Sequence, residues 1–206
     1  MKNATKHADE LKSLCKRLVK EHKPAARQPL DPLPALVRGA MSYDVTDAKA
    51  DEAMRVIERE FVDLNELRVA TDLEIQEILG TRYPQIERRV LMITGGLNHI
   101  FEKLHTLNLD RLREMPKKDA RAFLRELPEV HPFVEAYVML FALDGPAFPI
   151  DDDLLAVLVD AGAVEPDAML ADAQRFVEAQ LKAEDLYEFF TAARAAAAKR
   201  KQKAKA

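Results

Sequence analysis

The sequence predicts an all-α protein, and three observations carry that prediction. Apolar residues recur at spacings of three and four along most of the 206 residues. Sustained apolar/polar alternation is nearly absent, and Asp144-Gly145 lies between helical patterns rather than between β-branched runs. Prolines and glycines stand mostly at the ends of the periodic stretches, where helices start and stop.

The elements follow in order. Leu11, Leu14, Cys15, Leu18 and Val19 form one face of a first helix. A short apolar helix at Ala35–Ala40 is expected after a breaker region at Pro32 and Pro34. Ala53, Val56, Ile57, Phe61 and Leu64 line the next. Thr71-Asp-Leu-Glu74 has the capping-box form, with Ser/Thr followed three residues later by Glu, and predicts a helix through Leu79 that Gly80 ends. Ile86, Val90, Ile93, Leu97, Ile100 and Leu104 stripe a long helix begun near Pro84. Pro116 and Asp119 open another that ends near Leu127-Pro128. Phe133–Leu143 is apolar almost all round and is the expected most buried helix. Asp144–Pro149 has two prolines and a glycine and is read as a connector. Leu154–Ala161, Pro166–Leu181 and Glu184–Ala198 complete the set, before a low-complexity basic tail expected to be disordered over 199–206.

Hydrophobic residues make up 48% and charged residues 32%, a globular composition without an apolar run of membrane-spanning length. The amino end lacks the apolar core of a secretory signal, so a cytoplasmic protein is expected. One cysteine, Cys15, excludes an internal disulfide and any cysteine-built cluster; the same reading makes it a core residue. The net charge of −4 is unevenly placed: residues 1–27 carry +5, residues 199–206 carry +5, and the stretch between carries −14. Phosphate neutralisation supplies most non-specific nucleic-acid affinity, so only the two ends offer it, either as DNA contacts or as solubilising segments.

One stretch carries chemistry. Leu127-Pro-Glu-Val-His-Pro132 joins two helices, and the free backbone N–H groups that open the second could hold a phosphate. An apolar helix follows, then Phe148-Pro-Ile-Asp-Asp-Asp153, where a carboxylate caps the next helix.

That order resembles the helix-hairpin-helix DNA glycosylase superfamily, of which endonuclease III is a member. The family pattern reads Leu-Pro-Gly-Val-Gly-x-Lys-Thr-Ala, an apolar helix, then Pro-Val-Asp. Its counterparts are Leu127-Pro-Glu-Val-His-Pro-Phe-Val-Glu135 and Pro149-Ile-Asp-Asp-Asp153, with no gap between them. Upstream, Leu36–Asp47 looks like the family's Leu-(x)5-Ser-x-Gln-x-Thr-Asp segment. Downstream, Leu181–Phe189 is similar to the helix leading to the iron–sulfur loop. The resemblance implies two helical domains with a cleft between them. One, at 35–146, is a six-helix barrel carrying the hairpin at 127–133; the other joins 1–34 to 147–206. It implies Asp151 as the catalytic carboxylate. Pro128, Glu129, Val130, His131 and Asp44 are the implied DNA-contact positions.

The departures from the pattern limit the chemistry. Phe133 occupies the Schiff-base lysine position, and no lysine lies within 119–181, so lyase chemistry at that position is excluded. Glu129 and His131 replace the two hairpin glycines, and Asp44 replaces the glutamine. No iron–sulfur cluster can be built on one cysteine, so no cofactor is expected, and Asp151–Asp153 has no second ligand cluster to complete a metal site. Read without the resemblance, Asp151 is a helix N-cap, His131 a turn residue, and His99 and His105 surface or boundary residues. Two functions are expected in consequence. One is a monofunctional DNA glycosylase of base-excision repair; the other is a non-catalytic scaffold for DNA or protein. Apart from the resemblance, an all-helical interaction module is the remaining alternative. Double-stranded DNA, weakly held, is the expected partner, with no membrane. The sequence sets no oligomeric state.

Overall fold

The computed structural model describes residues 4–205, with side chains for 4–202. Eleven α-helices and one 3-10 turn make up the regular structure of the described residues, and no strand occurs among them. The chain divides into two compact units, Pro29–Leu143 and, from both ends of the sequence, Met1–Gln28 with Asp144–Ala206. Helix α1 (Ala4–His22) belongs to the two-ended unit. The 29–143 unit supplies α2 (Pro32–Ser42), α3 (Asp47–Glu60), α4 (Leu64–Val69) and α5 (Asp72–Leu79). It continues with α6 (Ile86–Leu104), the 3-10 turn at Asp110–Arg113, α7 (Lys117–Arg125) and α8 (Pro132–Phe141). Helices α9 (Asp152–Asp160), α10 (Leu170–Gln180) and α11 (Ala183–Lys205) complete the two-ended unit.

In the 29–143 unit every residue of α8 from Phe133 to Leu140 is buried, as its almost uniformly apolar sequence predicts. It packs on α2, and Gly39 permits the close approach: a Cβ there would lie 3.3 Å from side-chain atoms of Val134 and Tyr137. The one charge in that buried run, Glu135, is compensated from α7 by Arg121 at 2.9 Å and Arg125 at 2.7 Å. A lone buried carboxylate costs several kcal/mol, on the order of 3–5, so the two arginines are what make Glu135 tolerable.

In the two-ended unit α11 packs on α1 and α9. Leu11, Leu14, Cys15 and Leu18 are the buried face of α1, and Leu186, Phe189, Phe190, Ala193 and Ala197 are buried on α11. Phe148, from the segment before α9, stacks on Phe189 with ring centroids 5.2 Å apart and meets Phe190 edge-on at 6.0 Å.

The expected caps of α5 are present: Thr71 accepts the Glu74 N–H, and Gly80 ends the helix at φ 88°. Several boundaries differ from expectation for identifiable reasons. Pro32 and Pro34 open α2 instead of preceding it, because the first helical turn has no use for a proline's missing N–H. Helix α3 stops at Glu60, and Leu64 starts the unanticipated α4, capped by the Asp63 carboxylate on the Asn65 and Glu66 N–H groups. Helix α10 begins at Leu170 rather than Pro166. The basic tail expected to be disordered continues α11 as helix to Lys205. Lys199 pairs with Glu21 at 3.0 Å, Arg200 with Asp160 at 2.7 Å, and Lys201 with Asp153. The lysines at 203 and 205 have side chains outside the described residues.

Candidate functional site

The hairpin region is built entirely within the 29–143 unit. Helix α7 ends at Arg125, and a turn closes with the Val130 N–H donating to the Leu127 carbonyl at 3.3 Å. Pro128 takes the second position of that turn and Glu129 the third, with φ 54°. Third-position residues at positive φ are ordinarily glycine, because a Cβ crowds the following carbonyl there. The backbone therefore keeps a shape suited to glycine while carrying glutamate. Pro128 and Glu129 are exposed, and Val130 and His131 half-buried.

His131 caps α8: its Nδ1 accepts the Phe133 N–H at 3.2 Å, which places the ring proton on Nε2. Its own N–H points to the Met92 sulfur at 3.4 Å, and its carbonyl accepts from Val134 and Glu135. Pro132 has no N–H to offer. The expectation of free N–H groups at this terminus is therefore corrected: His131, Phe133, Val134 and Glu135 all donate within the protein.

The imidazole also lies flat on Tyr43, with centroids 4.5 Å apart and planes 5° from parallel. The Arg89 guanidinium sits 3.7 Å from the same ring centroid, too close for both groups to share one face. Arg89 has no exposed surface. It donates to the carbonyls of Ala40 at 2.5 Å, Tyr43 at 2.6 Å and Pro84 at 2.7 Å, tying the end of α2 to the start of α6. The Tyr83 hydroxyl adds a bond to the Met41 carbonyl at 2.7 Å. Burial pushes the Tyr43 phenol above its ordinary pKa, with Arg89 opposing the shift. Asp44, next in the chain, is half-buried at φ 54°. The turn residues Tyr43 and His131 thus meet directly, on a support that sequence reasoning missed.

Asp151 belongs to the two-ended unit. It is the N-cap of α9, with Oδ1 accepting the Leu154 N–H at 3.0 Å. Its other oxygen accepts from Nη1 of Arg194 on α11 at 2.9 Å. Asp151 is 1% exposed and Arg194 5%. This is a buried, hydrogen-bonded ion pair, in which the guanidinium offsets the negative charge of the carboxylate. Asp152 and Asp153 occupy the first turn of α9, where the helix dipole favours them.

The remaining candidates lie away from these two places. Burial pushes the Cys15 thiol up to about 11, with Asp185 and Glu188 adding to the shift. His105 ends α6 at φ 53°, and His99 is half-buried on the same helix. Among the described residues no group of three or more His, Cys, Asp or Glu side chains is placed to hold a metal ion. One buried cysteine does not supply the four thiolates an iron–sulfur cluster takes. No helix among the described residues is long and apolar enough to cross a membrane.

No family model and no curated protein matches the sequence. Solved structures do match in shape. The 8-oxoguanine glycosylase/lyase of Clostridium acetobutylicum, in complex with double-stranded DNA containing cytosine opposite 8-oxoguanine, superimposes with a TM-score of 0.74. Identity is 16%, over 97% of this chain and 71% of that one. Endonuclease III, trapped as a covalent intermediate with DNA, gives 0.72 at 14% identity, over 90% of this chain and 84% of that one. The fold is therefore the all-α fold of the helix-hairpin-helix DNA glycosylases.

Proposed function

We propose that this protein is an endonuclease III-like chain of base-excision repair that acts on double-stranded DNA without lyase chemistry. The supporting observation is the fold likeness, which spans 97% of the chain, together with Asp151 at a helix N-terminus directly after Pro149-Ile150. In this reading the base departs with the electron pair of the N-glycosidic bond, positive charge develops on the sugar, and the Asp151 carboxylate stabilises it before water adds. The target base has to be extruded from the duplex to reach the carboxylate. Phe133 leaves no amine at the position from which a Schiff base would form, so the strand stays intact. Arg194 offsets the aspartate's charge in the resting protein, so excision requires that pair to open.

A non-catalytic DNA-binding scaffold is the second reading. The closed Asp151–Arg194 pair and the internally bonded N–H groups around His131 favour it.

Release of free base from duplexes carrying uracil, oxidised pyrimidines or alkylated purines separates the two. The first reading expects release from at least one duplex, lost in Asp151→Asn. Duplex binding with no release from any lesion establishes the scaffold instead. Release that survives Asp151→Asn removes Asp151 from the chemistry.

A further inference from the structure

The exposed face of α1 carries cations that are without partners among the described residues. Lys12, Lys16 and Lys20 recur every four residues, so they rise along one side of the helix at intervals of about 6 Å. Lys23 follows immediately past the helix end, where its N–H closes on the Val19 carbonyl at 2.9 Å. All four lysines are exposed, and Arg17 stands beside them. None of the four has a side-chain hydrogen bond or an ion pair among the described residues. The one carboxylate in this stretch, Glu21, is held by Lys199. The contrast with the carboxyl end is direct, because Lys199, Arg200 and Lys201 are all engaged with carboxylates.

A basic amphipathic helix suits a DNA backbone or an anionic membrane surface. Membrane association also requires the apolar face. Here Leu11, Leu14, Cys15 and Leu18 are that face, and all are buried within the two-ended unit. Only the charged side is available, and a row of strong cations without an apolar partner fits a phosphodiester backbone. We infer that the lysine row Lys12–Lys16–Lys20–Lys23 is a phosphate-contact surface for duplex DNA. This inference rests on the DNA-repair reading and adds to it a contact surface outside the hairpin.

The test is the salt dependence of duplex binding by the full chain and by a Lys12→Gln/Lys16→Gln/Lys20→Gln/Lys23→Gln variant. Circular dichroism checks that the variant, altered only at exposed positions, keeps its helix content. Each phosphate contact contributes roughly 0.9 to the slope of log K against log salt. The expected result is a slope shallower by about 3.6 and binding weakened at least tenfold at low salt, while Lys118→Gln in the other unit changes the slope by less than about 1. An unchanged slope in the quadruple variant overturns the surface and leaves the DNA-repair reading standing. No binding of the parent chain to any duplex at low salt overturns both. Binding to phosphatidylserine vesicles but not to duplex assigns the row to a lipid surface and overturns the inference.

Discussion

The 127–131 turn and the Asp151 loop place their charged residues under opposite constraints. At the turn the backbone is unusual for the residue it carries: Glu129 adopts the left-handed conformation that glycine ordinarily supplies, and His131 caps the next helix. At the loop the backbone is ordinary and the side chain is constrained, for Asp151 opens a helix in extended conformation and shares its charge with a buried arginine. Shape and chemistry are thus separable. A turn can be held by packing and caps without glycine at its left-handed position. A carboxylate's reactivity depends on what neutralises it, which its position in a motif does not reveal.

The largest expected effect lies at the loop. Arg194→Met strands a buried carboxylate and should cost about 3–5 kcal/mol in chemical denaturation. Pairing it with Asp151→Asn should recover a large part of that loss. Additive losses would mean the two groups are not coupled, and the contrast between loop and turn would weaken. At the turn, His131→Ala removes the α8 cap and the stack on Tyr43 and should cost about 1–2 kcal/mol. Glu129→Gly should instead raise stability, by about 0.5–1 kcal/mol, because it relieves the left-handed strain. A loss on that substitution would show that the glutamate side chain contributes more than the strain costs.

The smallest effect concerns Cys15. Its folded pKa is raised from 9.0 to about 11, so the thiol form is favoured in the native protein. That stabilisation is fully present below pH 9 and is lost as pH climbs through 11. Native protein should therefore alkylate at Cys15 far more slowly than urea-unfolded protein at pH 8, where the thiolate is the reactive species. Equal rates would place the cysteine outside the core.

Much of this was legible in the sequence, and the failures share a cause. The stripe of α6, the capped α5 and the buried α8 rest on periodicity and local caps, which short stretches of chain determine by themselves. The ends of α2 and α10 were misread because proline serves a first turn as well as it breaks a later one. At the site, turn and cap signals together with the resemblance picked out Asp151 and His131 but not the residues that condition them. Arg89, Glu135 and Arg194 each interrupt an apolar stripe, and each is buried with its charge compensated or its donors satisfied. A charge on an apolar face was the available signal. Its partners lie 43 to 49 residues away for Arg194 with Asp151 and for Arg89 with the end of α2, beyond the reach of local pattern. The basic tail was misread for the same reason: its low complexity hid the carboxylates of Glu21, Asp153 and Asp160 that it meets.

The central claim, excision without strand cleavage at Asp151, is tested most directly on end-labelled lesion duplexes resolved on a denaturing gel with and without hot alkali. Strand breaks are expected only after alkali, and none with Asp151→Asn. Breaks without alkali, or alkali-labile product undiminished by Asp151→Asn, would contradict it.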